Sequence, residues 1–84
     1  MQFAEGMIVR SKAGHDKGSF FVVLRTENDV AYIIDGKSRT VRNPKKKKLI
    51  HLSPTKTVVD QRLMEADIEI RRILTEFNCK LRNS

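Results

Sequence analysis

Gly6-Met-Ile-Val-Arg-Ser-Lys-Ala-Gly-His-Asp-Lys-Gly-Ser-Phe-Phe-Val-Val-Leu24 decides the fold of this chain. Two apolar runs flank a loop, Lys12–Gly18, that concentrates glycine and cationic side chains. In a strand, Met7 and Val9 share one face of the pleat while Arg10 and Lys12 fall on the other, which Ile8 also makes apolar. Phe20 to Leu24 is apolar on both faces, with Phe20, Val22 and Leu24 opposed to Phe21 and Val23. Gly14 and Gly18 can adopt backbone angles that a Cβ would forbid, so the loop can turn tightly. Lys12, Lys17 and the loop's backbone N–H groups are then expected to face a phosphate together.

Working outward, Val30–Ile34 reads as a third strand, with Val30, Tyr32 and Ile34 opposed to Ala31 and Ile33. Glu27-Asn28-Asp29 supplies the turn before it. Asp35-Gly36 predicts a hairpin into a fourth strand over Ser38–Arg42. Asn43-Pro44 ends that strand, and Leu49–Leu52 is the expected fifth. Five short strands with tight turns point to a small antiparallel barrel, in which closure removes exposed edges. One face of each strand fills such a barrel, so the second apolar face of the middle strands needs a cover. The tail supplies it. Thr57-x-x-Asp60 is a helix-start signal with Thr57 as cap. Val59, Leu63, Ala66, Ile70, Ile73/Leu74, Phe77 and Leu81 then recur at helical spacing. Asp67–Arg71 and Glu76–Lys80 are candidate i,i+4 pairs on the polar side. The expected organisation is one domain, a barrel over residues 1–56 with an amphipathic helix over 57–84. A helix of that length spans about 30 Å, so part of its apolar stripe is expected to overhang.

The 84 residues carry a formal charge of +7. Residues 1–56 hold 12 Lys and Arg against 5 acids, whereas the remainder holds 5 of each. The barrel therefore carries the whole excess, which points to a polyanion, nucleic acid ahead of a membrane surface. Cys79 is alone, which fits a reducing compartment. No signal-peptide pattern or membrane-length apolar run is evident, so the expected location is cytoplasmic. His15, His51 and Cys79 lack zinc-ligand spacing, and no nucleophile elbow, Walker loop or carboxylate pair stands out. The expectation is a protein that is not an enzyme and needs no cofactor.

Residues Gly6 to Val23, through Lys12-x-Gly14-x-x-Lys17-Gly18, resemble the KOW motif of ribosomal proteins and transcription elongation factors. The family's loop glycine corresponds to Gly14 or Gly18. Asp35-Gly36-Lys37 and Asn43-Pro-Lys-Lys-Lys-Lys followed by His51-Leu52 extend the resemblance to small bacterial relatives of a eukaryotic and archaeal large-subunit ribosomal protein. The resemblance covers residues 1–52 and implies an SH3-like barrel that binds structured RNA, ribosomal RNA first. Nothing functional carries onto the tail.

The candidate RNA contacts are Lys12, Gly14, His15, Lys17 and Gly18 of the loop, with Arg39, Arg42 and Lys45, Lys46, Lys47 and Lys48 widening the footprint. Lysine acts there as a point charge, so such contacts do not read sequence. Phe20, Phe21 and Tyr32 lie within apolar runs and are expected in the core. That argues against readout of single-stranded bases and for recognition of folded RNA through phosphates and shape. The alternative is a protein-interaction module of the transcription or translation machinery that docks through its helix.

Overall fold

A computed structural model of the chain describes residues 2–82. Five strands, β1 (Met7–Ser11), β2 (Phe20–Glu27), β3 (Val30–Ile34), β4 (Lys45–Lys48) and β5 (Leu52–Val58), precede one helix, α1 (Asp67–Arg82). They form a single antiparallel sheet in the order β4-β3-β2-β1-β5. The two edge strands, β4 and β5, are joined only by the three-residue 3-10 turn Leu49–His51. So short a link draws the edges together and curls the sheet into a small barrel.

Both faces of the curled sheet are apolar, as the double patterning predicts. Val9, Phe21, Val23, Ala31, Ile33 and Leu52 fill the interior. Ile8, Val22 and Ile34 point the other way and are covered by Val59, Met64, Ile70 and Leu74 from the tail. Phe77 packs its ring against Phe20, centroids 5.1 Å apart at 67°, an edge-on arrangement favoured by aromatic quadrupoles. Each fully buried Ile or Leu contributes about 1.5–3 kcal/mol, so the helix is part of the core. Gly36 lets it approach: a Cβ there would collide with Asp67 O and lie 2.7 Å from Arg71 N.

Three regions depart from expectation. Residues 38–42 form no strand. The backbone N–H groups of Lys37 and Arg39 donate to Asp35 Oδ1, and that of Val41 donates to Asp67 Oδ1. With those donors captured by carboxylates, strand pairing falls instead to Lys45–Lys48, against Val30–Ile33. Leu49–His51 is the 3-10 turn, and the fifth strand begins only at Leu52.

The helix starts at Asp67, ten residues later than Thr57 suggested. Thr57 lies in β5, whose last residue pairs with Met7. Asp60 is the cap, but of the 3-10 turn Gln61–Leu63, where it accepts from Arg62 N. At 16 residues α1 is about 24 Å long. Among the described residues its ion pairs are Arg72 with Glu69 and Glu76 rather than the two expected; Asp67 is turned toward Val41 and Glu76 toward Arg72.

Tyr32 is the third departure. It is half-buried, belongs to neither apolar cluster, and carries Arg25 Cζ 4.0 Å from its ring centroid. Phe21 is in the interior and Phe20 packs under the helix, as expected.

Candidate nucleic-acid interface

The β1–β2 loop turns on Gly14 (φ +87°) and Gly18 (φ +92°), both in the left-handed region where glycine is favoured. Part of its backbone is already hydrogen-bonded within the protein. Lys17 N donates to Gly14 O, Gly18 N to Ser11 O, Ser19 N to Asp16 O, and Lys12 N to His51 O. Hydrogen bonds within the protein therefore occupy the N–H groups of Lys12, Lys17 and Gly18 from the expected ring, and at those positions an anion would be met by side chains. Those of Lys12, His15 and Lys17 are exposed. The helix does not cover the loop; a groove of about 550 Å³ lies between Gly18 and Ser19 on one side and Arg71, Thr75 and Asn78 of α1 on the other.

Asp16 is the loop's anchor. Its carboxylate accepts from Lys45 Nζ at 2.7 Å and Lys47 Nζ at 2.6 Å, and the Ser11 hydroxyl lies 2.7 Å away. Lys47 Nζ also donates to Ala13 O at 2.7 Å. Only 16% of the Asp16 side chain and 9% of the Lys47 side chain remain exposed. Burial acts to raise the Asp16 pKa, but the hydrogen bonds from Lys45, Lys47 and Ser11 outweigh it and hold the carboxyl well below the usual range. This cluster ties β4 to the loop between β1 and β2, across the mouth of the barrel.

The four lysines of β4 are thereby sorted. Lys45 and Lys47 pair with Ile33 and Ala31, residues of the interior face, so their side chains run toward Asp16. Lys46 and Lys48 pair with Tyr32 and Val30 and are exposed on the outer face. Arg39 and Arg42 stand apart in the 35–44 loop, Arg42 exposed and Arg39 half-buried. That loop is held to the start of α1 through Val41.

Next to the β1–β2 loop, Arg10, Lys12 and Lys17 line a cleft of about 200 Å³ with Ser11 and Ser53. No carboxylate lines it, and the nearest acid of the loop, Asp16, is committed to two lysines. Three cations with uncompensated charge around two serines make a site suited to a phosphate or another small oxyanion. Arg10 was absent from the sequence candidates, although its alternation with Ile8 had placed it beside Lys12. Arg25 was also missed. A register shift between Val23 and Arg25 re-aims it. Uninterrupted alternation would have sent it inward with Phe21 and Val23. Instead it stands opposite Tyr32 on the outer face.

Among the described residues no group of three His, Cys, Asp or Glu is placed to hold a metal ion, and no helix is long and apolar enough to cross a membrane. No protein-family model matches this chain, and no curated protein matches it either.

Proposed function

We propose that this protein binds structured RNA, without catalysis, by docking a basic barrel surface onto the sugar-phosphate backbone. The observation that carries the proposal is the carboxylate-free cleft of Arg10, Lys12 and Lys17 beside the glycine-hinged loop. A phosphate seated there meets a guanidinium and two ammonium groups, while exposed Lys46, Lys48 and Arg42 extend the field over neighbouring phosphates. The KOW resemblance favours ribosomal RNA, as part of a ribosome or bound to one, and exposed, solitary Cys79 suits a reducing cytoplasm.

The test is RNA affinity as a function of salt, using a base-paired hairpin. Binding is expected to weaken steeply with salt. The combined change Arg10→Gln, Lys12→Gln and Lys17→Gln is expected to reduce the slope by about one for each phosphate contact removed. A slope unaltered by those changes overturns the proposal.

A second reading has its own support. An apolar groove of about 390 Å³, lined by Ile8, Thr57, Ile73, Phe77 and Leu81 with Glu76 and Lys80 at its sides, lies beside α1. Val58 and Ile68 are also exposed. A protein partner seated there would bind with little salt dependence and be lost on Ile73→Ser, leaving RNA affinity unchanged.

A further inference from the structure

The bulge in β2 builds a feature of which phosphate docking uses only the Lys46 end. Arg25, Tyr32 and Lys46 are successive cross-strand partners on the outer face of β2, β3 and β4. Arg25 Cζ lies over the Tyr32 ring at 4.0 Å, while Arg25 and Lys46 are exposed and Tyr32 is half-buried. Among the described residues Arg25 forms no ion pair. The acid nearest along the strand, Glu27, falls in the next row, which runs through Val30 to Lys48. The row of Arg25, Tyr32 and Lys46 therefore keeps its positive charge.

We propose that this row is a stacking site for one unpaired nucleotide, with the base against the Arg25–Tyr32 pair and its phosphate on Lys46. The inference rests on the RNA-binding reading above and specifies the RNA: a folded one that presents an extruded or looped-out base. Two properties lead there. Aromatic rings and guanidinium planes are the side chains on which unpaired bases stack, and a cation alongside meets the attached phosphate. The ring also fixes the arginine in advance, so less rotamer freedom is lost on binding than at a freely moving lysine. α1 covers Ile34, two residues along β3, but leaves Tyr32 outside its cluster, so the site stays open.

The experiment compares two RNA hairpins, identical except that one carries a single bulged adenosine. The intact protein is expected to bind the bulged hairpin about 5- to 100-fold more tightly. Arg25→Lys keeps the charge and removes the plane. It is expected to abolish that preference while leaving affinity for the paired hairpin and its salt slope unchanged. Tyr32→Leu is expected to do the same and Tyr32→Phe to retain the preference, with circular dichroism checking the fold of each variant. Equal binding of the two hairpins by the intact protein overturns the stacking site but leaves RNA docking standing. So does an Arg25→Lys change that weakens both hairpins equally, since Arg25 would then be an ordinary phosphate contact. Failure to bind either hairpin overturns both.

Discussion

Lys45 and Lys47 differ from Lys46 and Lys48 in everything except their identity. The first two lie toward the barrel mouth and share one carboxylate, that of Asp16. The second two stand in solvent on the outer face, opposite Tyr32 and Val30. Four consecutive lysines look like one solvated run, yet a strand's period of two divides them into a structural clamp and a free surface. The lesson concerns charge counting. Asp16 compensates part of the tract, so the cations available to a polyanion include the outward pair together with Arg10, Lys12, Lys17 and Arg42.

The largest effect that would break this contrast lies at Asp16. Asp16→Ala leaves Lys47, nine-tenths buried, without its counter-charge and frees the loop from β4. Removing one partner of a well-buried pair costs about 3–5 kcal/mol; with some solvent reaching Asp16, about 2–4 kcal/mol is expected in urea unfolding. The same experiment on the double change Lys46→Ala and Lys48→Ala is expected to stay within about 0.5 kcal/mol of the parent. Equal losses in the two would erase the division of the tract.

A pH series sharpens the point. The Asp16 pKa is depressed in the folded protein, so its stabilisation is fully present above the ordinary unfolded value of about 3.9. It is lost as pH falls through the folded value. The stability gap between the parent and Asp16→Asn is therefore expected to be widest at neutral pH and to shrink progressively below about pH 4. A gap that stays constant into acid would mean that Asp16 acts through packing rather than through its charge.

Much of the fold was legible because double apolar patterning is hard to misread. Phe20 to Leu24 and Val30 to Ile34 required cover on both faces, and the only remaining apolar periodicity lay in the tail, where Ile70 and Leu74 now provide it. Boundaries were less legible because the competing partners are remote in sequence. Asp67 captures Val41 N across 26 residues, and Gly6 O accepts from Val59 N, extending the region of β5 past the expected helix start. The candidate site was legible in part. Lys12 and Lys17 follow from glycine-loop composition, and Arg10 could have followed from alternation. The splitting of the lysine tract needed to be read as a strand, and Asn43-Pro44 drew attention to a turn instead. Arg25 was invisible to periodicity because one residue of register shift reverses its face.

The smallest effects concern single lysines and test the division most directly. Each of Lys46→Ala and Lys48→Ala removes one mobile, exposed point charge, so RNA affinity at moderate salt is expected to fall about 2- to 5-fold with little change in stability. The salt slope of each should drop by about one if its lysine meets a phosphate. Lys45→Ala is expected to show the reverse pattern, with a measurable stability loss and a salt slope close to that of the parent, because its ammonium is already held at 2.7 Å from Asp16. The three variants differ from one another only in which of three neighbouring lysines is truncated, so net charge is the same in each. If total charge governed binding, all three would lose affinity equally; if strand parity governs it, Lys45→Ala must separate from the other two.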